Sequence, residues 1–178
     1  TGMQRSGCTP YGAWTSTTPV GERGRGKTQD AKNLPLLMVM HHCAYVATAS
    51  TAYMEDLYDK LDRAIQASEH GFAYLHVYSP CTTGWRFPSD QNIEVARKAV
   101  QTNFVLLWEF DPQSGLRLTH SVDDQFTLAE YVKELGKYRH LSAEQIAHIE
   151  GTIAQNVKFV NGLAAGAPPA VARAGAAV

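Results

Sequence analysis

The sequence has few cysteines, no excess of charge of either sign and no long apolar run. Its three cysteines, Cys8, Cys43 and Cys81, are an odd number without regular spacing, which excludes a disulfide framework and predicts a reducing, cytoplasmic compartment. Lys and Arg number 16 against 17 Asp and Glu, so no overall field would recruit nucleic acid. We find no signal peptide or apolar stretch of membrane-spanning length in these residues, and expect no membrane association.

The sequence also lacks a start methionine. It opens on residues 1–7 (TGMQRSG), a run of small residues with no strand or helix before it. Because loops of this kind normally follow a strand, we expect the sequence to be a fragment of a longer chain. The residues present suffice for one domain with a real core, since 44% of the 178 are hydrophobic.

Apolar periodicity predicts strands that alternate with helices. Residues 1–29, rich in Gly, Thr, Ser and Pro, follow neither period and are predicted to be a long loop. Three helices are predicted. The first is short and buried, at 34–42, with Pro35 in its first turn. The second is capped by Ser50 or Thr51 and ended by Gly71, and the third is capped by Ser89 or Asp90 and ends near Thr102. Predicted strands are 44–49, 72–78 and 104–110, with a loop at 82–88 and a turn at 111–115 into 116–119. The alternation indicates an α/β fold with a parallel sheet, helices on both faces and an antiparallel edge hairpin.

The pattern becomes helical beyond residue 121. Residues 127–130 (TLAE) and 142–145 (SAEQ) each fit a capping box. One face of the last helix is predicted to carry Ile146, Ile149, Ile153, Val157 and Val160. We expect this helical extension to reach over a neighbouring chain, and residues 164–178 to form a mobile tail. The predicted domains are therefore 1–120, 121–163 and 164–178.

Three places in the sequence are candidates for chemistry. Residues 1–7 combine glycines, which let backbone approach a phosphate, with a hydroxyl and carbonyls that can bind Mg²⁺, although on pattern alone a flexible terminus explains them better. Cys81 lies just past a strand end, where ligands collect, but most single cysteines are buried structural thiols. His41 and His42 point about 100° apart on a helix, so we interpret them as packing or cap residues.

Four stretches of the sequence follow one another in a recognisable order. They are residues 1–14 (TGMQRSGCTPYGAW), 45–50 (YVATAS), 79–85 (SPCTTGW) and 99–102 (AVQT). In this order they resemble the beta subunits of 2-oxoacid:ferredoxin oxidoreductases, in which an Asn-Thr-Gly-Ile-Gln-Arg-Ser-x-Ala-Thr-Pro run resembles residues 1–14. The resemblance covers roughly residues 1–110 and is only general from residue 120 onward.

The resemblance implies a thiamine-diphosphate-binding fold followed by the C-terminal helical extension. In the family this subunit binds the diphosphate end of the cofactor through Mg²⁺, and a partner alpha subunit supplies the pyrimidine end. By that similarity Thr1 would bind Mg²⁺ with its hydroxyl and Met3 with its carbonyl, while Gly2 and Gln4 complete the cofactor loop. Arg5, Ser6 and Thr9 would lie on the substrate side.

The resemblance also implies that Cys81 is one ligand of a 4Fe-4S cluster. By the same similarity, the family's other three cluster ligands would lie upstream of residue 1. A single thiolate cannot hold a cluster, because each iron needs its own ligand. Cys81 is therefore expected to act only together with those residues.

The expected function is CoA-dependent oxidative decarboxylation of a 2-oxoacid to acyl-CoA and CO₂. Pyruvate, as in pyruvate synthase, is the default substrate, and an aromatic 2-oxoacid such as phenylglyoxylate is a serious competitor. Expected partners are alpha and other subunits, and ferredoxin or an NAD-linked electron-transfer subunit. Two alternatives are a non-oxidative thiamine-diphosphate decarboxylase or synthase and a non-catalytic structural subunit.

Overall fold

The computed structural model describes residues 3–22, 24–121 and 126–166, which form a mixed α/β fold. The elements follow in chain order. They are β1 (Val20–Gly21), β2 (Gly24–Arg25), α1 (Leu34–Met40), β3 (Tyr45–Ser50), α2 (Met54–Ser68), β4 (Ala73–Tyr78), α3 (Thr82–Trp85), a 3-10 turn (Ser89–Gln91), α4 (Asn92–Gln101), β5 (Trp108–Asp111), β6 (Gly115–Leu118), α5 (Leu128–Glu134) and α6 (Ala143–Ala165). Thr1 and Gly2 lie outside the described residues, as do 167–178 of the expected tail.

The main sheet is mixed, whereas the sequence predicted parallel strands with an edge hairpin. Its strand order is β4-β3-β5-β6, and only β3 and β4 run parallel. The third strand, expected at 104–110, begins only at Trp108 and pairs antiparallel with β3. The amide of Val105 is bound to the carbonyl of Ala99, 2.9 Å away, which keeps the start of the expected strand at the end of α4. The predicted edge hairpin is present as β5 and β6.

Helix ends follow the predicted capping signals at some positions and not at others. Both capping boxes are confirmed, since Thr127 and Ser142 each exchange hydrogen bonds with the third residue of their helix. The cap predicted for α2 is wrong: the helix starts after Tyr53 without a side-chain cap, and Ser50 instead accepts from the amide of Ala52. The predicted loop at 82–88 begins with the short helix α3.

Helix α1 is in the predicted place but is less buried than expected. Pro35 lies in its first turn and is its one fully buried residue, while Leu37 and Met40 are exposed. Only one side of the helix packs on the sheet. The predicted buried helix is therefore a surface helix.

The helical extension packs on the same core as the sheet. Tyr131 of α5 is fully buried, and its hydroxyl lies 2.6 Å from that of Tyr78 at the end of β4. Ile149 and Val160 of α6 are also buried against the body of the chain. Contact with a neighbouring chain and the three domain boundaries stay predictions. None of the helices in the described ranges combines the length and apolar character needed to cross a bilayer.

A buried carboxylate joins α2 to three strands. Glu109 of β5 accepts hydrogen bonds from Arg63 at 2.5 and 2.7 Å, from Tyr45 at 2.6 Å and from Arg117. Burial alone would raise the pKa of Glu109, but the hydrogen bonds from Arg63 and Tyr45 and the charge of Arg117 outweigh it and lower the pKa. The carboxylate therefore stays ionised and holds β3, β5 and β6 against α2.

We expect Glu109→Gln to lower the free energy of unfolding by about 2 kcal/mol at pH 7, at the low end for a buried pair because both arginines are partly exposed. Since the folded-state pKa is depressed, this contribution is fully present above about pH 4.3, the pKa expected in the unfolded chain, and is lost as the pH falls through the folded-state value. Urea unfolding at pH 7 and pH 3 measures both effects. Glu94→Gln, at an exposed position of α4, is the control and should change little. Equal losses in the two variants would contradict this role for Glu109.

Candidate functional site

The opening loop contains a tight turn formed by Ser6 and Thr9. The amide of Thr9 donates to the carbonyl of Ser6 at 3.2 Å, and the amide of Ser6 donates to the Thr9 hydroxyl at 2.8 Å. The Ser6 hydroxyl accepts from the amide of Cys8 at 3.1 Å. Because Thr9 is 2% exposed, its side chain serves the loop's own structure here, and Ser6 remains partly accessible.

Lys27 holds the two ends of this loop together. Its ammonium donates to the carbonyl of Gly7 at 3.4 Å, to that of Asp30 at 3.1 Å and to that of Thr9. The side chain is 3% exposed, and burial, together with the nearby charge of Arg5, lowers the pKa of Lys27. Three backbone oxygens thus solvate one buried cation.

Two segments of the loop backbone lie close together beside Lys27. The amide of Gly12 donates to the carbonyl of Lys27 at 2.7 Å, and the amide of Lys27 donates to that of Ala13 at 3.1 Å. Gly26 has a φ of +74°, and a Cβ added there would lie 2.3 Å from the carbonyl oxygen of Gly12. Only glycine fits this position.

Contacts that include the following three fix the loop to the C-terminal helical extension. His140 lies with Nε2 2.9 Å from the carbonyl of Gly12, which can only accept, so Nε2 carries the proton. The amide of Trp14 donates to the carbonyl of Lys137 at 3.0 Å. His148 of α6 approaches the Asp30 carboxylate at 2.9 Å.

The predicted ligand residues at the start of the loop are accessible where the structure describes them. Met3 is 56% exposed, and its carbonyl accepts from the amide of Ser16 at 2.8 Å, which leaves its second lone pair for another partner. Gln4 is exposed, and Arg5 donates to the side chain of Gln29 at 2.7 Å. The predicted ligands Thr1 and Gly2 lie outside the described residues.

A cationic cavity of about 380 Å³ opens beside this turn. Its lining is Arg5, Ser6, Gly7, Lys27, Gln29, Asp30 and Lys32. Three of these side chains are basic and one is acidic. An anionic group, such as a carboxylate or a phosphate, matches this donor set.

Cys81 lies three residues past the end of β4 and is half-buried. Its Sγ accepts from the amide of Gly84 at 3.3 Å, so the sulfur caps the short helix α3. Beside it the Lys137 ammonium lies 3.6 Å from the centre of the Trp85 ring. Burial lowers the pKa of Lys137 to about 7, and the nearby Cys81 opposes the shift.

The predicted site residues that the structure describes lie on two segments of the chain. Arg5, Ser6 and Thr9 share the opening loop, whereas Cys81 follows β4 and contacts the core that contains Trp85. No group of three His, Cys, Asp or Glu residues within the described ranges could hold a metal ion. His41 caps the end of α1 and His42 follows it at a positive φ of 56°, in agreement with the cap interpretation.

Sequence reasoning missed the two buried lysines of this region. Lys27 stands in a run of glycines and charges, a pattern that ordinarily indicates a solvated loop. Lys137 follows Gly136 at the end of a helical stretch and carries no motif. Burial of either side chain depends on partners distant in sequence, and no local pattern records them.

Comparison with known proteins shows similarity to beta subunits of 2-oxoacid oxidoreductases, and no family model matches the sequence. The chain is 72% identical over 160 residues to the beta subunit of an NADH-dependent phenylglyoxylate dehydrogenase from Aromatoleum evansii, covering 90% of this chain and 36% of that protein. It is 41% identical over 150 residues to the pyruvate synthase subunit PorB of Methanothermobacter thermautotrophicus, covering 84% and 51%. It is 36% identical over 151 residues to the ketoisovalerate oxidoreductase subunit VorB of Pyrococcus furiosus, covering 84% and 48%.

These relatives confirm the resemblance identified from the sequence. The chain spans about a third of the first relative's length and about half of the other two. The matches include 36% identity or more over at least 150 residues with subunits named for three different 2-oxoacids. The chain is therefore similar to these subunits over most of its own length.

We expect Lys27→Met, which retains an unbranched side chain but lacks the ammonium, to lower the free energy of unfolding by about 1–3 kcal/mol, because buried carbonyls lose their donor. Hydrogen exchange should accelerate at the amides of Cys8, Thr9 and Gly12. Lys158→Met, at an exposed position of α6, is the matched control. Unchanged exchange in the loop of the Lys27 variant would show that the three carbonyls do not depend on it.

Proposed function

We propose that this chain is the C-terminal part of the thiamine-diphosphate-binding beta subunit of a 2-oxoacid:acceptor oxidoreductase. The complete enzyme would carry out CoA-dependent oxidative decarboxylation of pyruvate or an aromatic 2-oxoacid to acyl-CoA and CO₂. The observation that carries the proposal is the 72% identity to the phenylglyoxylate dehydrogenase beta subunit across 90% of the chain. The fixed, cationic opening loop supports it.

The opening loop fits a magnesium-bound diphosphate. Thr1 would supply a hydroxyl and Met3 a carbonyl to Mg²⁺, with Gly2 and Gln4 in the same turn, and oxygen ligands of this kind suit a hard cation. The remaining lone pair of the Met3 carbonyl and the exposure of Met3 are compatible with that role. When bound, thiamine diphosphate supplies the nucleophilic carbon and electron sink that decarboxylation of a 2-oxoacid requires.

The chain's own residues would bind and orient the substrate. Arg5 lines the cationic cavity, so its guanidinium can hydrogen-bond a 2-oxoacid carboxylate there. The Ser6 hydroxyl lies at the same wall, and Thr9 keeps the turn in shape from within. Lys27 fixes the carbonyls behind them, so the donors are held in place before substrate arrives.

The surroundings of Cys81 fit a thiolate ligand of a 4Fe-4S cluster. Cys81 is half-buried and its sulfur accepts an amide N–H, and hydrogen bonds to ligand sulfurs help to set cluster potentials. The other ligands would come from outside this chain. Electrons would leave through such clusters to ferredoxin or an NAD-linked subunit, in a cytoplasmic complex with alpha and other subunits.

Two other functions differ from the proposed one in the groups that their chemistry requires. A non-oxidative thiamine-diphosphate decarboxylase or synthase would need no cluster, and the motif around Cys81 favours the oxidative enzyme. A structural subunit without a site would not need a cationic cavity beside a fixed loop. Both alternatives make different predictions for substituted enzymes.

We expect Cys81→Ser in the complete complex to lower the iron content and the visible absorption by about one cluster's share, because a cluster iron loses its thiolate. Cys43→Ala is the control, since Cys43 is buried in the core away from α3. A Cys81→Ser complex that keeps its full iron content would contradict the cluster assignment. A wild-type complex without iron would instead favour the non-oxidative enzyme.

We expect Thr1→Ala to weaken thiamine diphosphate binding at least about tenfold, through loss of a metal ligand. The measurement is titration of the cofactor-depleted complex in the presence of Mg²⁺. Thr17→Ala replaces an exposed threonine of the same loop and should bind normally. Unchanged affinity in the Thr1 variant would support the structural-subunit alternative.

A further inference from the structure

A second cavity, of about 230 Å³, adjoins the cationic one and has a largely apolar wall. It lies between the opening loop, the sheet and α6, and its apolar lining includes Tyr11, Phe104, Val105, Leu106, Ile149 and Ile153. The two cavities share Asp30 and Lys32. The apolar cavity thus joins the cationic cavity at Asp30 and Lys32.

The size of the apolar cavity suits a six-membered ring. A cavity of about 150 Å³ lined by aliphatic and aromatic side chains is sufficient to bind benzene. The present cavity, about 230 Å³, exceeds that volume and leaves room for a short substituent. The methyl group of pyruvate would leave most of this space without contacts, so it would gain little from the apolar wall.

The lining of the largely apolar cavity also carries polar side chains, among them Thr48, His76 and Asn156. His76 lines the cavity, and its Nδ1 lies 3.0 Å from the Tyr74 hydroxyl. Burial lowers the pKa of His76, so the imidazole is neutral near pH 7. When the Tyr74 hydroxyl donates to Nδ1, the proton of His76 is on Nε2, which is then the ring nitrogen able to donate to an oxo group. Polar groups placed in a largely apolar wall are typical of small-molecule sites.

We propose that the apolar cavity receives the ring of an aromatic 2-oxoacid whose carboxylate lies against Lys32 and Arg5. This inference rests on the proposed function and adds to it the substrate class and the residues that select it. The ring contacts Tyr11, Phe104 and Ile153, and the carboxylate faces the cationic cavity. Selection between an aromatic and a small aliphatic 2-oxoacid then depends on the free volume beside Ile153.

The test is Ile153→Phe in the complete complex, which adds a ring's bulk to the cavity wall. We expect the ratio of kcat/KM for phenylglyoxylate to kcat/KM for pyruvate to fall at least about tenfold, mainly through KM. Val157→Phe adds similar bulk one turn further along α6, outside the cavity lining, and should keep the wild-type ratio. Lys32→Gln should raise KM for both acids by similar factors.

A second variant keeps the test decisive if Ile153→Phe fails to assemble. Asn156 is exposed at the rim of the cavity, so Asn156→Trp can narrow the mouth without repacking the core. It should lower the same ratio. An unchanged ratio in an assembled Ile153→Phe or Asn156→Trp complex overturns the inference, and continued oxidation of either acid leaves the proposed function standing. A wild-type complex that oxidises no 2-oxoacid overturns the proposed function itself.

Discussion

The solvation of the Lys27 ammonium by three backbone carbonyls is the interaction on which the candidate site depends. A buried cation usually has a carboxylate partner, but here Gly7, Thr9 and Asp30 supply main-chain oxygens, and the nearby carboxylate group of Asp30 faces His148. Without the ammonium, those oxygens would need water or another donor. The turn that presents Ser6 and the wall shared by both cavities are set by this one side chain.

Local sequence rules predicted the elements whose signals are local. The apolar spacing of α2, the clustered β-branched and aromatic residues of β3 and both capping boxes depend on residues close together in sequence, and each of these elements was found. The direction of β5 was not predictable in this way, because it is set by pairing between Val46 and Phe110, 64 positions apart. The cap of α2 failed for a related reason: Ser50 is fully buried at the end of β3 and its hydroxyl is directed to the next turn of chain.

The sequence predicted which segment of the chain forms the site, but it did not predict the geometry of the site. The resemblance of residues 1–14 indicated the loop, and the relatives confirm the family likeness, while Thr1 and Gly2 lie outside the residues described. The burial of Lys27 and Lys137, the stacking on Trp85 and the apolar cavity arise only when the loop, the sheet and α6 come together. Long-range packing creates these features, and single-sequence patterns carry little information about it.

Asp30 connects the opening loop to α6, because its main chain and its side chain contact different parts of the protein. Its carboxylate meets His148 of α6, and its carbonyl accepts from Lys27, so the last long helix and the opening loop are tied through one residue. The ring of His148 also lies 4.3 Å from that of Tyr11. These contacts restrain the loop against outward movement relative to α6. A molecule would therefore reach the cavity across its open rim, at positions such as Asn156, while the main chain of the loop stays in place.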